Sequence, residues 1–137
     1  MILTVDLCDG PVRNTPRRSD VAAGAVLVFE GIVRPDEEGR PILGLDYKAY
    51  DPMARAEFHR LGEFMMREFD LLEVNVQHSR GFVPAGECSF RLVVASKHRQ
   101  SALAATDWFI AAMKRDVPIW KTPVFMGQDR AMEGVRL

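Results

Sequence analysis

The chain is poor in cysteine. Cys8 and Cys88 are the only two, with no CxxC pair and no Cys/His cluster of zinc spacing. That pattern offers neither a disulfide framework nor a structural zinc site, and reads as two small, buried or half-buried residues in a reducing compartment. Neither has a neighbouring base or a helix N-terminus to make it a nucleophile. Long apolar runs are missing too. None approaches the roughly 18–20 residues of a membrane span, and MILTVDLCDG lacks a basic stretch before its short apolar run. The expectation is a cytoplasmic protein. With 18 Lys and Arg against 19 Asp and Glu, the net charge of −1 gives no global attraction for nucleic acid or an anionic membrane. No nucleophile elbow, glycine-rich phosphate loop, paired-carboxylate motif, internal repeat or low-complexity tract is found.

What is present is ordinary globular material. At 137 residues, 47% apolar and 27% charged, residues 1–137 read as one domain able to bury a real core. ILTVDL at 2–7 alternates like a strand. The polar segment that follows reads as a loop, with a helical turn near Ser19–Ala23. AVLVFEGIVR at 25–34 has the β-branched and aromatic run of a central strand, with a bulge or close backbone approach expected at Gly31. PDEEGRP at 35–41 reads as a mobile turn, and ILGLDYKAY at 42–50 as the return strand of a hairpin with 25–34. Asp51-Pro52 reads as a helix start, Asp51 capping and proline in the first turn. Ala54, Phe58, Leu61 and Met65 then mark the core face of a helix to about Phe69. Strands follow at 71–78 and 88–96, joined by the turn-rich SRGFVPAGE. A second helix is expected over roughly 100–114, with Leu103, Trp108, Phe109 and Ala112 near its packing face. Pro118 disfavours helix at Val117, so PIWKTPVF is extended. The order predicts an α+β domain, a mostly antiparallel sheet with two main covering helices.

The chemistry-bearing feature is a concentration of cations at the ends of elements. From Lys97 to Lys121 there are five basic residues (Lys97, Arg99, Lys114, Arg115, Lys121) against two acidic ones (Asp107, Asp116). Arg34 ends a strand, and His98-Arg99 lies where a strand gives way to a helix, so side chains and amides could face an anion together. Bland readings exist for each: Lys114 and Arg115 complement a helix C-terminus, Lys121 decorates a strand, and His98 sits in a turn. In AAMKRDVPIWKTP the two lysines could stand roughly 23–25 Å apart if the chain were extended, so they meet only if it reverses at Asp116–Pro118.

Taken together, GAVLVFEGIVR, DYKAYDPMA, ASKHR and AAMKRDVPIWK, in this order from Gly24 to Lys121, resemble the catalytic (large) subunit family of molybdopterin synthase. The resemblance implies an α/β-hammerhead-like fold and a sulfurtransferase of molybdenum cofactor biosynthesis. Its substrate would be cyclic pyranopterin monophosphate, converted to the dithiolene of molybdopterin. The sulfur would come from the thiocarboxylated C-terminal Gly-Gly of a small ubiquitin-like partner, in a heterotetramer built on a homodimer of the large subunit. No cofactor or metal is implied. By the resemblance Lys114 and Lys121 are catalytic: Lys121 as acid or base, Lys114 at the thiocarboxylate end and in proton transfer. Arg34, His98 and Arg99 bind phosphate and pterin, while Phe29 and Trp120 wall the pocket. Two departures stand out. Thr122-Pro123 follows Lys121 where the family has a basic residue and a glutamate, and HSRG (His78–Gly81) displaces an arginine by one position. A diverged, non-catalytic paralogue acting as an anion-binding or scaffolding partner is the alternative reading.

Overall fold

The structure, a computed structural model, describes residues 2–13, 22–127 and the backbone of 135–136. Among these, strands and helices run in the order β1 (Ile2–Asp9), β2 (Ala25–Ile32), β3 (Asp36–Glu37), β4 (Arg40–Ala49), α1 (Met53–Glu68), β5 (Leu71–Pro84), β6 (Cys88–Ser96), α2 (Arg99–Asp116), β7 (Ile119–Phe125) and β8 (Val135–Arg136). The architecture is α+β: a mostly antiparallel sheet ordered β2-β6-β5-β4-β7-β8, with β1 parallel to β5 and the two helices packed on it and on each other. The helical turn expected near Ser19–Ala23 lies largely outside the described residues.

The helices follow their apolar periodicity. Ala54, Phe58, Leu61, Met65 and Met66 are buried on α1, and Ala102, Ala105, Phe109, Ala112 and Met113 on α2. Leu103, expected on the packing face, is 52% exposed, because the true stripe starts one residue earlier at Ala102. α2 ends where Pro118 forces Val117 out of helical geometry, at φ −83 and ψ 128. Asp51 does not cap α1. The helix begins at Met53 without a side-chain cap, after a cis Asp51-Pro52 peptide, and the Asp51 carboxylate instead meets Arg80 and Arg55 at 3.3 and 3.5 Å.

Strand pairing departs from the local reading. β2 and β4 do not form a hairpin; β2 pairs with β6, and β4 with β5 and β7. The segment read as a mobile turn makes its own hairpin, with Asp36 opposite Pro41 and Glu37 opposite Arg40. Glu38 and Gly39 supply the two consecutive positive φ angles, 49 and 77, that a two-residue hairpin turn of this kind requires. Having reversed there, β4 is free to leave β2. The bulge expected at Gly31 is present as a register shift between Gly31 and Ile32.

β5 is longer than its alternation indicates, since SRGF belongs to the strand. Its residues 73–80 pair with β1 and 81–84 with β4, and Gly81 at φ +83 makes the handover. Arg80 straddles that point, donating to Asp9 at 2.7 Å and to Asp51 at 3.3 Å. Both faces of β5 are buried. Val74, Val76 and His78 join the core, while Glu73, Asn75 and Gln77 lie buried on the alternate positions.

The centre of the core is aromatic. Phe109 of α2 stacks on Phe58 of α1 at 6.2 Å and on Phe90 of β6 at 6.3 Å between ring centroids. This contact holds α2 to both its neighbours. Phe109→Ala is therefore expected to cost about 3–5 kcal/mol, the usual range for emptying a buried aromatic site. Urea unfolding measures it; a loss under about 1 kcal/mol would mean that α2 is held elsewhere.

Candidate active site

A cavity of about 220 Å³ opens at the end of the sheet where β2 finishes and β6 begins. Eight parts of the chain converge on it. Phe29 and Gly31 come from β2, Arg34 from just beyond it, and Glu37 from β3. Tyr47 of β4, His78 of β5, and Ser89 and Phe90 of β6 also line it, with Met113 and Lys114 from α2 and Lys121 from β7.

Three of the five expected cationic and imidazole residues therefore meet: Arg34, Lys114 and Lys121. Each is delivered by a local device. Arg34 is exposed at the mouth, beyond the Gly31 bulge. Lys114 occupies the last turn of α2, where a cation also complements the helix dipole. The chain then reverses within Asp116–Pro118; the Val117 amide closes the helix on the Met113 carbonyl at 3.0 Å, and β7 returns from Ile119. Lys121 stands directly opposite Tyr47, and cross-strand partners share a face, so it points with Tyr47 into the cavity. Trp120, expected as a wall, occupies the alternate position. It packs on Tyr50 edge to face at 5.0 Å and does not line the cavity, whereas Phe29 does.

His98 and Arg99 do not line this cavity. Both are exposed, His98 just before α2 and Arg99 its first residue, and Lys114 stands at the opposite end of that helix. At 1.5 Å per residue, Arg99 and Lys114 are separated by roughly 22 Å of helix axis. The strands agree: Ala25 pairs with Ser96 beside the His98 end, and Ile32 with Cys88 beside the cavity.

Residues not singled out in the sequence form the floor. Tyr47 Oη donates to Ser89 Oγ at 3.0 Å in a buried contact, and its hydroxyl pKa is raised, chiefly by burial. His78 is buried, edge-on to the Tyr47 ring at 5.3 Å, with Nδ1 2.8 Å from the Ser79 carbonyl oxygen. Burial lowers its pKa to about 4, only partly opposed by that carbonyl. His78 is thus neutral near pH 7, with Nδ1–H donating and Nε2 left as an acceptor. Among the described residues Glu37 is the single carboxylate lining the cavity, 3.6 Å from Lys121 Nζ. The only sign of it in the sequence was the EG of the turn, which reverses the chain beside the strand carrying Lys121.

The arrangement is a neutral, largely aromatic floor under a cationic rim. It suits an oxyanion, since fixed positive charge at the edge of a poorly solvated site binds more strongly than the same charge in water. The cysteines take no part: neither lines the cavity, and burial raises both thiol pKa values. Among the described residues no group of three His, Cys, Asp or Glu is placed to hold a metal ion, and no helix is long and apolar enough to cross a membrane. The displaced arginine of HSRG, Arg80, is committed to Asp9 and Asp51 away from the cavity.

Known proteins share this framework. The profile of the family described as MoaE protein matches residues 9–116. The molybdopterin synthase catalytic subunit of Bos taurus is 36% identical over 102 residues, covering 74% of this chain and 54% of that protein. That of Oryza sativa subsp. indica is 39% identical over 106 residues, covering 77% and 55%. The chain thus spans about half the length of these curated relatives. Among solved structures, molybdopterin synthase from Staphylococcus aureus aligns with a TM-score of 0.75 at 27% identity, covering 84% of this chain and 85% of that one. The complex of subunits 1 and 2 of molybdopterin-converting factor from Helicobacter pylori 26695 aligns with a TM-score of 0.75 at 25% identity, covering 96% and 92%.

The buried imidazole has a consequence for stability. His78 is harder to protonate folded than unfolded, so its contribution is fully present above its ordinary pKa of 6.5 and is lost as pH falls toward about 4. Over that window the loss amounts to about 3 kcal/mol. In His78→Phe the drop in unfolding free energy between pH 6.5 and 4 should shrink correspondingly, as measured by urea titration at a series of pH values. An unchanged slope would mean that His78 titrates normally.

Proposed function

This chain belongs to the MoaE protein family, and from that premise we propose that it is the catalytic subunit of a molybdopterin synthase. In this reading it converts cyclic pyranopterin monophosphate to molybdopterin. The sulfur comes from the thiocarboxylated C-terminus of a small ubiquitin-like subunit in the cytoplasm. The observation that carries the reading is the convergence of Arg34, Lys114 and Lys121 on one cavity with a neutral floor. Both reactants are anionic: one is a phosphate ester, the other a thiocarboxylate tail. Arginine offers permanent charge in a planar fork suited to phosphate, and lysine a compact charge that can also release a proton. When the thiocarboxylate sulfur bonds to a substrate carbon, a carbon–oxygen bond there breaks and the oxygen leaves protonated, and the sulfur is left joined to the tail's acyl carbon. Water must then cleave that acyl–sulfur bond, returning the tail as a carboxylate. Negative charge develops on the acyl oxygen in that step, where an ammonium group stabilises it and moves the proton. Lys121 takes the acid–base role, Lys114 the thiocarboxylate end, and Arg34 the substrate phosphate.

His98 and Arg99 keep a substrate-binding role in the same site only if a second copy of the chain brings them to it, because a chain's own pair stands at the far end of α2. The homodimer within a heterotetramer that the family resemblance implies would meet that requirement. The two-subunit complex named for the Helicobacter pylori structure supports a small-subunit partner for this chain as well.

The test is single-turnover conversion of cyclic pyranopterin monophosphate by the purified chain with a thiocarboxylated small subunit. The wild type should form the dithiolene product. Lys121→Ala should slow it by about 10²–10⁴-fold, the usual worth of a positioned acid–base group, with folding intact. Arg34→Ala should chiefly raise the substrate concentration required. No product from a folded wild type that still binds the small subunit would identify a non-catalytic paralogue. Wild-type rates from Lys121→Ala would remove that residue from the chemistry.

A further inference from the structure

The cavity holds one group that a site for anions does not call for, a carboxylate. Glu37 Oε1 lies 3.6 Å from Lys121 Nζ, and both side chains are largely but not fully covered, at 19% and 27% exposure. At that distance the pair is an ion pair without a formed hydrogen bond, so a better-placed oxyanion can take its place. The carboxylate does not reach this position from a loose loop. The Glu38–Gly39 turn fixes the hairpin, the Ile42 amide donates to the Pro35 carbonyl at 3.0 Å, and the Arg40 guanidinium lies 3.9 Å over the Phe125 ring. Phe125 belongs to β7, the strand that carries Lys121, so the hairpin is pinned to the strand whose lysine it approaches. Asp36 and Glu38, the flanking acidic residues, are exposed and do not line the cavity.

We propose that Glu37 is an internal competitor: it occupies Lys121 while the cavity is empty and is displaced when an external oxyanion, a carboxylate tail or a phosphate, docks. Binding then has two parts, the release of Lys121 and the seating of the ligand. The observed affinity is lowered by the fraction of molecules in which Lys121 is already free. Ordinary solution anions that contact Lys121 alone are rejected, whereas a ligand that also engages Arg34 or Lys114 offsets the lost pair. Glu37 is on this view a specificity residue that acts through Lys121. The inference rests on the cavity being the oxyanion site of the proposed function, but not on any turnover.

The test is therefore a binding experiment. Inorganic phosphate and a short peptide ending in a Gly-Gly carboxylate are titrated by calorimetry into the wild type, Glu37→Gln, Lys121→Ala and the double variant. The two probes separate the two sources of the oxyanion. Glu37→Gln should bind at least one of them about two- to fivefold tighter, in keeping with the release of one partly exposed ion pair. That gain should largely vanish in the Lys121→Ala background. Glu37→Ser should show the same gain if the glutamine amide is not itself a ligand. Structural damage would weaken binding, so a gain is not its signature. Equal or weaker binding by Glu37→Gln and Glu37→Ser overturns the proposal, as does no measurable binding of either probe. A gain of the same size without Lys121 also overturns it, because simple removal of negative charge would then suffice. A positive cycle in a protein that forms no product would retain the competitor and reject the enzymatic reading; the reverse result would do the opposite.

Discussion

The change of partner along β5 is the constraint on which the rest of the structure depends. A single strand serves β1 over residues 73–80 and β4 over 81–84, with β6 alongside its first half. Gly81 permits the backbone angle at the handover, and Arg80 ties the end of β1 to the loop after β4. Each surface ion pair there contributes little energy, but together they set a geometry. Because β5 joins the two parts of the sheet, Tyr47 on β4 can reach Ser89 on β6, and β7 can lie close to the finish of α2. The cavity exists because these parts end at the same place.

Charge and burial are divided within that cavity. Groups that could titrate near its floor are held neutral by burial: His78, and the Tyr47 hydroxyl, whose hydrogen bond with Ser89 opposes that effect without overcoming it. Charge is confined to flexible side chains at the rim, where water and ligand can still reach it. A buried, uncompensated cation would be costly, and a fully solvated one would discriminate poorly between anions. The rim position avoids both extremes, and Glu37 sets the balance at Lys121.

Much of this was legible from local rules, and the failures have physical reasons. Helix extents and the stop before Pro118 follow from 3.6-residue periodicity and the restriction that proline places on its predecessor; that Lys114 and Lys121 share a cavity did not, since it needed a reversal at Asp116–Pro118 that local rules left open. The pairing of β2 with β6 instead of β4 was not legible, because strand order is set by non-local contacts and the nearer strand in sequence is the default partner. Asp51 read as a cap, since nothing in its neighbourhood reveals that Arg80, twenty-nine positions on, will claim its carboxylate. Trp120 went to the wrong face because adjacent strand residues diverge and only the register with Tyr47 decides which one enters the cavity. Glu37 was hidden inside turn chemistry, where an acidic residue is ordinary. For His98 and Arg99 the family resemblance named the residues, but one chain's geometry keeps them apart from the other three.

The most direct test of the anion cavity is a crystal structure of the chain with cyclic pyranopterin monophosphate bound. The phosphate or pterin should lie in the cavity between Arg34, Lys114 and Lys121, over the Tyr47–His78 floor, with Glu37 moved off Lys121. Substrate bound elsewhere, with those three side chains untouched, would contradict the assignment of this cavity as the active site.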